Sequence, residues 1–362
     1  MYIMYSLLLP LAWIYDGVTS VRNFMYNHRI LKTRSYDLPV ICVGNLTVGG
    51  TGKTPHTEYL IRLLQREGYK VAVLSRGYKR KTQGFVLATA TSTAADIGDE
   101  PYQMKSKFPN LTVAVDADRC EGVERLMNDK ETADVDVILL DDAFQHRRIK
   151  AGLNIVLVDS NRPIDKDYLL PAGRLRENTR GLKRADIVIV TKLNEELDEV
   201  SIRQYRERLC IQDSQQLYFT RFRYGNLYQD ENSIPLSLLS QYRVLMVTGI
   251  ADATPMEQML KEQTNVTTIR FGDHHDFSQQ DYERIETAFR QLPDDKPSIV
   301  VTTEKDKARL DLNQLTIKKK VYTLPIEVEV LQQAETIFNQ QILDYVRKNS
   351  RNSNVPQGTD DK

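Results

Sequence analysis

A run of small and polar residues, Gly44-Asn45-Leu46-Thr47-Val48-Gly49-Gly50-Thr51-Gly52-Lys53-Thr54, follows the apolar stretch VICVG at 40–44 and precedes a helical pattern. In that order, strand, glycine-rich loop, Gly-Lys-Thr and helix make a phosphate cradle. Glycines let backbone N–H groups turn inward, and the helix N-terminus adds a favourable dipole. Thr47, Gly49, Gly50, Thr51, Gly52 and Lys53 are therefore expected around a nucleotide. Lys53 would reach its β- and γ-phosphates, and the Thr54 hydroxyl would meet Mg²⁺. One position departs from the pattern: Thr47 stands where the motif wants a glycine.

Such a loop belongs between a buried strand and a crossover helix, and the rest of the chain supplies both. KVAVLS (70–75), LTVAVD (111–116), DVILLDD (136–142), NIVLVD (154–159) and DIVIVT (186–191) read as strands buried on both faces. Helices are expected at 53–66 and 119–128. RVLMVTG (243–249), VTTIRF (266–271) and SIVVTT (298–303) continue the alternation, with a closing helix around 329–347. The expected class is α/β: a P-loop NTPase-like, mostly parallel sheet with helices on both faces. A second, smaller α/β domain and an N-terminal amphipathic helix complete it. The divisions read as 1–35 for that helix, 36–220 for the core, 221–348 for the second domain and 349–362 for a disordered tail. An acidic strand end must accompany the cradle, and DVILLDD offers Asp141 and Asp142 to hold Mg²⁺ directly or through water.

Composition narrows the function classes. The 362 residues carry 49 basic and 49 acidic side chains, so no nucleic acid partner is expected. Cys42, Cys120 and Cys210 lie far apart, which argues against a disulfide framework or a structural zinc site. No obligate protein partner is evident. Residues 1–14 (MYIMYSLLLPLAWI) carry no charge, yet fall short of the roughly 20 apolar residues of a membrane span. From Trp13 the pattern is amphipathic. It suits a helix lying in a membrane interface, or one packed on the protein's own core.

Further clusters sit after the strands, where open α/β sheets bind ligands. They are GDEP (98–101), DDAFQHR (141–147), LPAGRLRE (170–177) and FGDHHDF (271–277). The pair His274-His275 invites a metal reading, but adjacent side chains point apart. Together with GNLTVGGTGKTP (44–55), SRGYKRK (75–81) and TTEKDKARL (302–310), these stretches resemble the tetraacyldisaccharide 4'-kinases, which phosphorylate the lipid A precursor. The resemblance spans nearly the whole chain in order; Ala143 stands where the family usually has glycine.

The resemblance implies a kinase that moves the γ-phosphate of ATP, with Mg²⁺, to a lipid A disaccharide 1-phosphate precursor. It implies two α/β domains with ATP in the cleft between them. Asp99 would be the acid/base group paired with His274, with Glu100, Asp142 and Glu177 near Mg²⁺. Arg76, Arg119, Gln145, His146, Arg174 and Arg176 are candidates for the substrate's polar groups. A lipid substrate also favours the interfacial reading of the first helix, placing the enzyme on the cytoplasmic face of the bacterial inner membrane. A competing reading is a P-loop GTPase or metallochaperone-type switch, from Thr191-Lys192-Leu193-Asn194. There Asn194 replaces the carboxylate that would accept guanine N–H groups.

Overall fold

The computed structural model describes residues 2–273 and 275–350; His274 and the expected tail from 351 lie outside the described residues. The first sheet contains β1 (Val40–Asn45), β2 (Val71–Ser75), β3 (Val86–Leu87), β4 (Thr112–Val115) and β5 (Val137–Asp141). It continues through β6 (Leu153–Asp159), β7 (Ile187–Thr191) and β8 (Gln216–Tyr224). Every residue of β1, β2, β5 and β7 is buried. Alternate side chains of one strand feed opposite cores: Cys42, Leu140 and Val188 face one side, Ile41, Leu139 and Ile187 the other. The second of these cores is covered by α2 (Lys53–Arg66) through Leu60, Ile61 and Leu64. The first is covered by α5 (Arg119–Asn128) through Cys120, Val123 and Leu126. Both helices fall where the sequence placed them.

β9 (Leu227–Gln229), β10 (Asn232–Ile234), β11 (Arg243–Thr248), β12 (Val266–Arg270), β13 (Ser298–Thr303) and β14 (Val321–Leu324) make the second sheet, in the order β10-β9-β14-β13-β11-β12. The last strand, β15 (Ile326–Val330), does not join it. It pairs antiparallel with β8 at the edge of the first sheet, whose order is β15-β8-β7-β6-β1-β5-β2-β4-β3. The final helix, Glu335–Asn349, packs there too, and its Tyr345 hydroxyl donates to the Val40 carbonyl at 3.0 Å. This corrects two expectations. Residues 326–349 belong to the first sheet rather than to a second domain running from 221 to 348, and 329–330 are strand rather than helix. The alternation in RFRY and IEVEV is of period two, and its polar face is matched across the pair by Arg221 against Glu329 at 2.5 Å.

The N-terminal helix, α1 (Tyr2–Asn27), has two faces. Ala12 and Thr19 are buried against the body. The Tyr15 hydroxyl donates to the Arg176 carbonyl (2.9 Å), and Asn23 Nδ2 donates to Glu177 (3.1 Å). On the outside Trp13 is 71% exposed, and Ile14, Val18, Val21 and Phe24 are all more than half exposed. The two sequence readings of this helix are therefore compatible, since one face docks and the other remains apolar and uncovered. No helix among the described residues is long and apolar enough to cross a membrane.

Candidate active site

The cradle turns between β1 and α2. Gly52 adopts φ 93° as the residue before the helix, and Gly49 adopts φ 104°, both in the region that glycine enters without steric cost. Gly44 is required for a different reason: a Cβ there would lie 2.6 Å from Phe144 Cβ, so β1 and the loop after β5 pack too closely for any side chain. Thr47 explains its own departure from the motif. It forms an antiparallel bridge to Leu175, an extended geometry that a β-branched residue suits. Two more bonds tie the same limb to the 170–177 segment, Val48 N–H to the Arg174 carbonyl (2.8 Å) and Arg176 N–H to the Leu46 carbonyl (2.7 Å). Deeper in, Asn45 Nδ2 donates to Thr51 Oγ1 (2.8 Å), while Thr191 Oγ1 donates to the Thr51 carbonyl (2.9 Å).

The two carboxylates at the end of β5 behave differently. Asp141 is buried, and burial, reinforced by the neighbouring Asp142, pushes its carboxyl up to about 7. Only one of its oxygens is partnered, by the Ser75 hydroxyl at 3.3 Å; Oδ1 is buried with no partner. Burial also acts to raise Asp142, but Lys53 and Arg176 outweigh it and hold this carboxyl below its ordinary value. Arg176 NH1 lies 2.8 and 3.0 Å from the two Asp142 oxygens, and Lys53 Nζ lies 3.8 Å from Oδ2. Lys53, at the end of the loop, and Asp142, after β5, are thus an ion pair.

Glu177 is placed elsewhere. It is fully buried and accepts from Arg184 (2.6 Å), Gln145 (3.0 Å) and Asn23 (3.1 Å). Gln145 also donates to the Asn45 carbonyl at 2.7 Å, so this cluster joins α1 to the base of the cradle. Among the described residues no three His, Cys, Asp or Glu side chains could together hold a metal ion. Glu177 is enclosed by donors of its own, whereas Glu100 is near enough to Asp141 to add to the rise of its carboxyl. The orphaned Asp141 oxygen and the adjacent Asp142 carboxylate are donors of the kind Mg²⁺ takes. Mg²⁺ is commonly held by one or two carboxylates, with phosphate oxygens and water completing its shell.

Asp99 and Glu100 lie in the first turn of α4 (Asp99–Lys107). Arg309 Nε and NH2 lie 2.8 and 2.6 Å from Asp99 Oδ2. Arg309 follows a short helix, α9 (Glu304–Lys307), on the second sheet, so the contact bridges the two sheets. Sequence reasoning placed Arg309 only inside TTEKDKARL and gave it no role. Asp306, wholly buried and accepting from Thr248 and Thr303 at 2.8 and 2.7 Å, lies 3.8 Å from Arg309 NH1. At the other end of α4, Lys107 bridges Glu58 of α2 (2.6 Å) and Glu304 (2.5 Å). His275 pairs with Asp281 at 2.9 Å and stacks on Phe271, so it anchors the start of the helix at Gln279–Arg290.

The candidate substrate residues divide. Arg119 is buried, donates to the Asp116 and Ala117 carbonyls (2.7 and 3.3 Å) and keeps Nε without a partner. His146 Nδ1 and Asp116 Oδ2 are likewise buried and unpartnered. Arg76 and Arg174 are exposed, and Arg176 and Gln145 are engaged as described above.

A family model for tetraacyldisaccharide-1-P 4'-kinase matches residues 4–347. The chain belongs to this family. Among the family's curated members, the tetraacyldisaccharide 4'-kinase of Bacteroides thetaiotaomicron is 49% identical over 361 residues, covering 96% of this chain and 94% of that one. That of Phocaeicola vulgatus is 50% identical over 355 residues, 96% of each chain. A crystal structure of LpxK from Aquifex aeolicus in complex with ATP superposes with a TM-score of 0.74 at 29% identity, covering 95% of this chain and 99% of that one. Membership in the 4'-kinase family sets aside the GTPase-type switch. In the structure Lys192 of that weaker motif is paired with Asp159 at 2.7 Å.

Proposed function

We propose that this chain transfers the γ-phosphate of ATP to the 4'-hydroxyl of a tetraacyldisaccharide 1-phosphate, a step of lipid A biosynthesis, at a membrane surface. The observation that carries the reading is Lys53 paired with Asp142 at the end of a glycine-bounded cradle, within a chain of this family. Lys53 and the loop N–H groups would bind the triphosphate and offset the charge that develops on it. Mg²⁺, held by Asp141, Asp142 and Thr54, would neutralise phosphate charge. Asp99 would accept the proton of the sugar hydroxyl as its oxygen forms the new bond to phosphorus. The bond between the γ-phosphorus and the bridging oxygen then breaks, and ADP leaves with the electron pair. Arg309 would keep the Asp99 carboxylate aimed, and His274 would be its second partner. Arg119 and His146 offer buried, unpartnered polar atoms for sugar oxygens. The test is transfer of label from γ-labelled ATP to a detergent-dispersed disaccharide 1-phosphate lipid, run beside GTP. ATP alone should serve, and no labelled lipid would overturn the reading.

The outer face of α1 supports a peripheral position on the cytoplasmic face of the inner membrane. Each large apolar side chain fully buried on binding contributes about 1.5–3 kcal/mol. Replacing Trp13, Ile14, Val18, Val21 and Phe24 together by serine spares the docking residues Ala12, Tyr15, Thr19 and Asn23. The variant is expected to leave sedimenting vesicles for the supernatant. Turnover on vesicle-borne lipid should fall at least tenfold, with melting temperature and turnover on a deacylated acceptor unchanged. A variant that still sediments with vesicles would exclude this face as the anchor.

A further inference from the structure

We propose that His56 is a positioning residue for the phosphate cradle, acting through a hydrogen bond from its Nδ1–H to the carbonyl of Gly52. This rests on the nucleotide reading of that loop.

His56 lies in the first turn of α2 and is 4% exposed. Its Nδ1 is 2.8 Å from the Gly52 carbonyl and its Nε2 is 3.0 Å from Thr220 Oγ1. A carbonyl can only accept, so Nδ1 carries the proton; Nε2 is then the acceptor for the Thr220 hydroxyl. The Gly52 carbonyl also receives the His56 backbone N–H at 3.2 Å. Both of its lone pairs are thus occupied by one residue, and the peptide between Gly52 and Lys53 has a fixed orientation.

That peptide matters because its nitrogen is Lys53 N–H and its side chain is the cradle lysine. The Cα of Gly52 is confined as well: a Cβ there would lie 2.6 Å from Phe222 Cζ and 3.5 Å from His56 Nδ1, and the Phe222 ring meets the His56 ring edge-on at 6.0 Å. Thr220 and Phe222 are two apart on β8 and so share a face. β8 therefore touches the cradle at two points before it runs on toward the second sheet. The Gly52 contact aims phosphate donors. The Thr220 contact only seats the ring.

The two contacts can be separated by side chains that copy one nitrogen each. An asparagine amide reaches the Nδ1 position, and a glutamine amide reaches the Nε2 position. His56→Ala and His56→Gln should each raise the KM for ATP about tenfold, the loss of one oriented hydrogen bond. The KM for the lipid acceptor should not change. His56→Asn should stay within about twofold of wild type for ATP, and so should Thr220→Val, even where melting temperatures fall. Equal behaviour of the Asn and Gln variants, or a matched rise in both KM values that tracks melting temperature, would reduce His56 to a packing residue and overturn the proposal. The loop reading fails differently, by undiminished activity of Lys53→Ala.

Discussion

Lys53→Ala is expected to lower kcat by about 10²–10³-fold, the range seen when one preorganised charge is removed from developing negative charge in a dry site. The Lys53 ammonium is 3.8 Å from Asp142, which also carries Arg176 on both oxygens. Removing Lys53 leaves Asp142 paired, so the fold should survive and the melting temperature should move little. That separates a catalytic loss from a structural one. Lys53→Arg keeps the charge but enlarges the head, and in a loop pinned at Gly52 it should recover little. A Lys53→Ala protein that turns over at more than about a tenth of the wild-type rate would show that the cradle does not carry the phosphoryl group.

Much of this site could be read from the chain because each part is local. Strand, glycine loop and lysine lie within 15 consecutive residues, and local sequence dictates their geometry. The same holds for Asp141 and Asp142, which simply end a buried strand. Contacts made between distant segments were less legible. Arg309 meets Asp99 across 210 positions, and Asn23 meets Glu177 across 154. Neither pairing leaves a periodic trace. Glu177 illustrates the cost: in a one-dimensional reading it is one more acid near the metal, whereas folding surrounds it with Arg184, Gln145 and Asn23. β8 and β15 were missed for another reason. Their runs RFRY and IEVEV alternate charge with apolar residues, unlike the wholly buried central strands, and β15 forms the sheet edge beside β8.

The proposed acid/base pair of Asp99 and His274 carries the second large effect. Asp99→Ala should lower kcat by about 10²–10⁴-fold, the usual contribution of a positioned general base. His274→Ala should fall in the same range, and the double variant should be hardly worse than the worse single one, because residues acting as a unit give non-additive losses. His275→Ala is the internal control. His275 is held by Asp281 at 2.9 Å and by the Phe271 ring, so its loss should lower the melting temperature while leaving kcat nearly intact. Arg309→Lys adds a finer arm. A lysine can restore the charge beside Asp99 but not the two-nitrogen grip on Oδ2. If orientation rather than charge is what Asp99 needs, Arg309→Lys should lose most of what Arg309→Ala loses. Losses at Asp99 and His274 that simply multiply would mean that each acts alone, and His274 would then have its own role in the reaction rather than tune Asp99.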